Sequence, residues 1–298
     1  MNTNQNEWAD TIVLACALAG RLEEAGQYNI AKLLRAAADS QLRQAAYSLD
    51  LPEDKKALAG EVMSFVGALN RLDVSEDLIT AIQTGAMRMS EGHLPQIRET
   101  PTPYVCRSCG FLTMLKPRTS CPNCGAWKDT FKRFRPVYWL DAFDPYTSLE
   151  KLRRTPLEIT RMLSGRDEAD FNRAPENGGW TIRNILSHLL DAQGVLNFRV
   201  NLMLTQENPE LKSLAVFDWA INDQERPADT LEILATYRDS RQEMLARLGS
   251  IPLADWWLTA LHQEFGSVTV RQQVSYFALH EISHLPSIAR LLEGGSAN

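Results

Sequence analysis

The chain has 298 residues, 44% of them apolar and 23% charged, with a net charge of −6 at neutral pH. That composition excludes wholesale disorder, and the length predicts two or three compact units. No apolar run approaches the roughly 20 residues of a membrane span, and the acidic balance argues against a chain that coats nucleic acid along its whole length.

Residues 7–48 read as two helices, with Leu14, Leu18 and Leu22 at steps of four before Gly26, and Ile30, Leu33, Leu34 and Ala37 after it. Ala17-Leu-Ala19 mimics a signal cleavage site, but it follows Glu7 and Asp10 rather than a basic segment, so helix core is expected. Cys16, among Val13, Leu14 and Leu18, reads as an inert core thiol. Two further helices are predicted within 52–97, one from Leu58, Val62, Phe65, Val66 and Leu69, the other from Leu78, Ile82 and Met89. The run Glu24–Asp39 resembles the matching helix of rubrerythrins, the ferritin-like di-iron proteins, which implies a ferritin-like bundle. In that family the run continues into an iron-binding Glu-x-x-His, where this chain has Gln41 and Gln44. The first-helix glutamate of the family falls on Trp8, beside Glu7, and Glu91-Gly-His93 is one residue short of Glu-x-x-His. Neutral glutamines cannot balance a di-iron centre, so residues 1–100 are expected to form a metal-free, degenerate bundle that serves packing or homodimerisation.

Thr100-Pro-Thr-Pro103 breaks the helical pattern and marks a boundary. Cys106-Arg-Ser-Cys109-Gly110 and Cys121-Pro-Asn-Cys124-Gly125 are two Cys-x-x-Cys knuckles, each able to turn two thiolates toward one tetrahedral metal. Residues 101–136 also hold Arg107, Lys116, Arg118, Lys128, Lys132, Arg133 and Arg135 against Asp129 alone, a basic set that can balance the thiolates. Tyr104, the four cysteines, Gly110, Pro117, Pro122, Gly125, Ala126 and Phe131 resemble the rubredoxin-type module that ends rubrerythrins. Zinc is expected there in preference to iron, because the di-iron acceptor that would give iron a purpose is missing. Paired Cys-x-x-Cys, an odd cysteine count and no signal peptide suit a reducing cytoplasm.

Residues 137–298 are expected to form a four-helix bundle with crossover loops. Phe134–Tyr146 is an aromatic linker expected to pack between modules, and Thr155-Pro-Leu-Glu158 reads as a capping box opening the first helix, which Gly165 stops. Thr181 caps a second helix carrying Ile182, Ile185, Leu186, Leu189 and His188. Asp229-Thr-Leu-Glu232 opens a third, and Thr269-Val-Arg-Gln272 a fourth that closes at Gly294-Gly295, with long connections over 206–228 and 249–268.

On the fourth helix Phe277, His280, His284, Ile288 and Leu291 share one stripe, so two imidazoles point inward one turn apart and can share a divalent metal. His280-Glu281-Ile-Ser-His284 also spells the zincin motif, but Ser287 and Arg290 stand where a metzincin needs glycine and histidine, and no glutamate-bearing helix follows. Pro286 is expected to kink the helix just past the site. Trp180, Thr181, Leu186, His188 and Leu189, with His280 and His284, resemble the DinB-like family of metal-binding four-helix bundles, and His262-Gln-Glu-Phe-Gly-Ser-Val-Thr269 resembles a segment found in one branch of it. The resemblance spans about residues 148–298 and implies that His188, His280 and His284 hold zinc, nickel, manganese or iron with a coordination position left open. It further implies transfer or isomerisation chemistry on low-molecular-weight thiols, while an open metal position could also activate water for hydrolysis; His262, and Arg199 three helical turns beyond His188 on the same face, are the candidate catalytic residues near the metal. The alternatives are a binding or assembly protein stapled by structural metals, and electron transfer from iron in the four-cysteine site.

Overall fold

The computed structural model describes residues 3–293 except 73, 176–178 and 214–228, with backbone alone for 3–6. It is mainly helical and divides into two compact units, Met1–Phe134 and Arg135–Asn298. None of the described helices is long and apolar enough to cross a membrane.

In the first unit α1 (Thr3–Glu24) and α2 (Tyr28–Tyr47) form a hairpin whose turn places Gly26 at φ 74°, the left-handed conformation that favours glycine. Its seam is built from Ile12, Ala19, Ala31 and Ala38, all buried, and Arg35 clasps Glu23 across it through two bonds of 2.8 Å. A second hairpin joins α3 (Lys55–Leu69) and α4 (Glu76–Ser90) through Ala59 and Val66 against Ile79, Ala81 and Ala86. The chief packing of α1 is with α2, and that of α3 with α4. Leu14, Leu18, Ile30 and Leu33 therefore do not form a core; they remain about half exposed, and Cys16 is an exposed thiol rather than a core one. Periodicity was right about the helices but marked a flank, because small residues a quarter turn away allow the closer helix approach. After the second hairpin, β1 (Tyr104–Cys106) lies between β2 (Leu112–Thr113) and β3 (Phe131–Arg133) in a small antiparallel sheet.

The second unit contains four long helices, α5 (Pro145–Leu163), α7 (Ile182–Thr205), α8 (Thr230–Ser250) and α9 (Val270–Leu292), with a short α6 (Glu168–Asn172) between the first two. Each long helix packs on two others in the cyclic order α5, α9, α7, α8, so α5 lies diagonal to α7, and α8 diagonal to α9. Two of the three connections thus cross the bundle. Connection 249–268 is not a plain loop: β5 (Thr259–His262) and β6 (Gly266–Thr269) form a hairpin, and β4 (Glu210–Leu211) pairs parallel to β5. Gly165, at φ 77°, follows the end of α5 as expected, whereas the proposed closure at Gly294-Gly295 lies outside the described residues.

One local expectation is corrected: α5 begins ten residues before Thr155-Pro156, with Asp144 accepting from Thr147 N at 2.9 Å and Pro145 in the first turn; Pro156 sits inside the helix. An aspartate followed by proline caps as well as a threonine does, and the apolar stripe extends upstream through Leu152. Past the histidines α9 runs on through Pro286 as far as Leu292. The aromatic linker straps onto α9: Ser275 Oγ donates to Trp139 O at 2.8 Å, Phe143 N donates to Ser275 Oγ at 3.0 Å, and Asp141 accepts from Arg271 at 2.7 Å and from Gln272 at 3.0 Å.

The bundle core is two apolar clusters, one around Leu152, Leu196, Met244, Val274 and Phe277, the other around Ile159, Ile185, Leu189, Ile233 and Ile288. Between them along α7, α8 and α9 runs a polar layer of Gln193, Arg241 and Glu281, each 1% exposed or less. Arg241 forms a bidentate pair with Glu281 and donates to Gln193 Oε1 at 2.7 Å and to Leu152 O at 2.9 Å. Leu152 O is the carbonyl that residue 156 would bond in an uninterrupted helix; Pro156 has no N–H, and the freed acceptor serves the buried guanidinium instead.

Candidate metal centres

His188 projects from α7, and His280 and His284 from α9, two adjacent helices. Both helices start from reciprocal capping boxes. Asn184 N donates to Thr181 Oγ1 at 3.1 Å while Thr181 N donates to Asn184 Oδ1 at 3.0 Å; Gln272 and Thr269 repeat the exchange at 3.2 and 2.9 Å. The caps set where each helix starts, and hence the height at which the rings meet.

The three imidazoles meet edge to edge. His280 Nε2 lies 3.1 Å from His188 Nε2 and 3.3 Å from His284 Nε2. Ligands at about 2.0–2.1 Å from one ion stand roughly 2.8–3.0 Å apart in cis octahedral and 3.3–3.4 Å apart in tetrahedral geometry, so both distances fit a shared divalent cation. Hydrogen bonding does not account for the cluster as well. His280 Nε2 would have to serve two rings at once. Burial, reinforced by the neighbouring imidazoles, pushes the His188 pKa down to about 3; burial also lowers His280 and His284 to about 4. All three rings are therefore neutral at pH 7, the form that ligates a metal.

Aromatic rings wall the cluster. Trp180 lies 4.7 Å from the His188 ring and stacks parallel to His284 at 6.1 Å, while Trp139 and Tyr276 flank His280 at 6.2 and 6.1 Å. Trp139 and Tyr276 were not singled out in the sequence. Tyr276 had a signal, standing four residues before His280; Trp139 had none, since only the strap onto α9 delivers it. Glu281, the would-be base of the zincin motif, is wholly buried with both oxygens on Arg241.

The two candidate catalytic residues lie outside the triad. His262 Nδ1 accepts from the amides of Glu264 and Phe265 at 3.2 and 3.3 Å, its ring stacks on Phe265 at 4.2 Å, and Gly266 takes φ 72°. The His-x-x-Phe-Gly segment is thus the β5–β6 turn. Burial, aided by Arg199, takes the His262 pKa down to about 3. Arg199 is buried on α7, where it donates to Lys212 O at 2.9 Å and toward Gln273 Oε1 at 3.4 Å.

In the first unit Cys106, Cys109, Cys121 and Cys124 converge with all four sulfurs within 4.8 Å. The knuckles are copies of each other: Gly110 N donates to Cys106 O and Gly125 N to Cys121 O, both at 2.9 Å, with the glycines at φ 80° and 74°. Sulfur separations of 3.8 Å (Cys106 to Cys124) and 3.7 Å (Cys109 to Cys121) match the roughly 3.8 Å of a tetrahedron with 2.3 Å bonds. Burial raises the Cys106 pKa, but the amides of Cys109 and Ser108 outweigh it and bring the thiol to about 6; the Ala126 amide lowers Cys124, but the other three sulfurs and burial push it up to about 12. Four thiols this close ionise together only around a cation. Among the described residues, no comparable group of histidine, cysteine and carboxylate ligands is found in α1–α4; Trp8 and Gln41 line an open depression there with Glu7, Thr11 and Ile12.

Residues 151–288 match the family model described as the DinB superfamily. Relatives include provisionally assigned metal-dependent hydrolases of Bacillus cereus and Bacillus thuringiensis subsp. konkukian, each 27% identical over 146 residues, covering 49% of this chain and 83% of theirs. Among solved structures, YfiT from Bacillus subtilis, described as a probable metal-dependent hydrolase with an unusual four-helix bundle topology, is similar at 19% identity and a TM-score of 0.47, covering 54% of this chain and 92% of that one. The match to the DinB superfamily thus covers 151–288, the stretch that contains all three histidines.

Proposed function

We propose that the second unit is a hydrolase that works through a divalent metal held by His188, His280 and His284. The observation that carries this reading is the convergence of three neutral imidazole Nε2 atoms, 3.1 and 3.3 Å apart, from two helices. The names of the DinB relatives point the same way. Three protein ligands leave coordination positions open, the arrangement of a catalytic site rather than a structural one. The ion would supply Lewis acidity to a substrate carbonyl and to the attacking water. The protein's part is to present neutral rings and, through Trp139, Trp180 and Tyr276, to shield their flanks from bulk water. Glu281 is committed to Arg241, so any general base must come from elsewhere. Transfer of a low-molecular-weight thiol would use the same open position and is read by the same assay. At the four cysteines we propose structural zinc, in a reducing cytoplasm.

Elemental analysis of the wild type beside His188→Ala and His280→Ala tests the site. The expected result is loss of one metal equivalent with the cysteine-bound metal retained, together with loss of metal-dependent turnover in a screen of esters, amides and thiol-plus-electrophile pairs. Unchanged metal content in both variants would reject the triad. A fully loaded wild type that turns over none of these substrates would favour the binding-protein reading.

A further inference from the structure

The α1/α2 hairpin is packed along one seam only. That seam buries Ile12, Ala19, Ala31 and Ala38, three of them alanines with little apolar surface to contribute. Helices in proteins draw most of their stability from burying an apolar face on other elements, yet α1 and α2 pack chiefly on each other.

What stays uncovered is ordered. On α1, Glu7, Thr11, Leu14, Leu18 and Leu22 follow at steps of three and four, and on α2 Ile30, Leu33, Ala37, Gln41 and Gln44 do the same, so each set is one row of its helix. The two rows lie on the same side of the seam, because a single open depression is lined by Glu7 and Thr11 from the first row, by Gln41 from the second, and by Ile12 of the seam between them. Leu14, Leu18, Ile30 and Leu33 are 46–63% exposed. Charge is kept off this face: Glu7, at its open end, is the one charged residue of the two rows, whereas Asp10, Arg21 and Glu24 on α1 and Lys32, Asp39 and Arg43 on α2 stand outside them. A contiguous apolar face of this kind marks an interaction surface.

The second hairpin covers the corresponding flank of α4 with its own chain. Pro95 and Thr100 lie against Gly85, and Leu78, Ile82 and Met89 of the same row are half-buried. The α1/α2 face has no such cover. Two helices of 20 and 22 residues, about 30 Å long and each about 10 Å across, present a face of roughly 600 Å², comparable with the roughly 800 Å² that each partner of a standard interface buries.

We propose that this face is the contact between two copies of the chain, which join hairpin to hairpin in an intermolecular four-helix bundle. A half-bundle with one such row on each of its two helices is complementary to itself under a two-fold axis. With that axis running along the hairpin, leucines meet leucines near the Gly26 turns and amides meet amides toward the open ends. The contact involves neither candidate metal site.

Sedimentation velocity of the full-length protein over a dilution series tests it. The wild type is expected to be a dimer. Leu18→Glu puts two charges into each contact, one per copy, and should weaken association at least about a hundredfold, with the far-UV circular dichroism unchanged because Leu18 lies outside the buried seam. Val13→Glu changes an apolar residue that is 67% exposed but outside both rows, and should leave the dimer intact. Leu33→Ala, which keeps a good helix former in place, should weaken the dimer about tenfold and decides the matter if Leu18→Glu loses helix. A wild type that is monomeric at micromolar concentration would give the face to another occupant and overturn the proposal. An assembly larger than a dimer, a folded Leu18→Glu that stays dimeric, or a Val13→Glu that dissociates would overturn it as well.

Discussion

Replacing Glu281 with glutamine tests whether this residue is a structural anion or the base of a zincin-like site. Both carboxylate oxygens face Arg241 in a layer from which water is excluded, with Glu281 0% and Arg241 1% exposed. Glutamine keeps the shape but removes the charge, leaving the guanidinium with Gln193 Oε1, Leu152 O and one amide oxygen. Breaking a buried pair from one side costs about 3–5 kcal/mol. For a unit of this size, each kcal/mol lowers the melting temperature by about 2–4 °C, so a fall on the order of 6–20 °C is expected. Metal content at the histidines should be unchanged, because both oxygens are committed to Arg241. Replacing Glu281 and Arg241 together by methionine should recover most of the loss, since a packed apolar layer replaces a buried pair at little cost. Thermal unfolding of metal-loaded protein, with elemental analysis of the same samples, makes the measurement. If Glu281→Gln melts like the wild type but has lost its turnover or its metal, the carboxylate serves the metal and the reasoning fails.

Other outcomes follow from single features. His262 is held neutral in the fold with a pKa of about 3, below the roughly 6.5 of an unfolded histidine. The unfolded chain therefore binds the extra proton first, so this contribution to stability is complete above about pH 6.5 and is lost as the pH falls toward 3; an NMR titration showing His262 protonated near pH 6 would contradict it. Gly266 sits at φ 72°, so Gly266→Ala should destabilise the second unit by about 1–2 kcal/mol, the cost of a left-handed residue with a Cβ, measured by urea unfolding. Thr269→Ala removes the α9 cap and should cost about 1 kcal/mol, with a lower affinity of the histidine site because the ring heights loosen; unchanged metal affinity would separate the cap from the site. If the first unit dimerises, as its sequence suggests, the exposed flank of Leu14, Leu18, Ile30 and Leu33 is where a second copy would pack: light scattering should then find a dimer that Leu33→Glu converts to monomer, and a monomeric wild type would refute it.

Much of the candidate centre was legible from spacing alone. His280 and His284 share a helix face because four residues are about one turn, and paired Cys-x-x-Cys knuckles close on themselves within a short loop. Caps at Thr181, Asp229 and Thr269 have local signatures because the side chain bonds an amide two or three residues on. Misreadings arose where several local answers were equally good. Thr155-Pro156 looks like a helix start, but so does Asp144-Pro145, and burial of the stripe upstream decides in favour of the latter. Leu14 and Leu18 have core periodicity, yet the alanines beside them make the seam.

The sequence by itself determined most of the long helices, the caps at Thr181, Asp229 and Thr269, the one-turn spacing of His280 and His284, and the two Cys-x-x-Cys knuckles, because each depends on contacts within a few residues of chain. Only the tertiary structure decided which helices became neighbours and what their side chains met. It brought His188 from α7 against two rings of α9, delivered Trp139 through the strap onto that helix, and gave Glu281 to Arg241, 40 residues away. Those pairings are long-range: a stripe on one helix states that a face is buried but not against what, and that choice is made by packing the whole bundle at once.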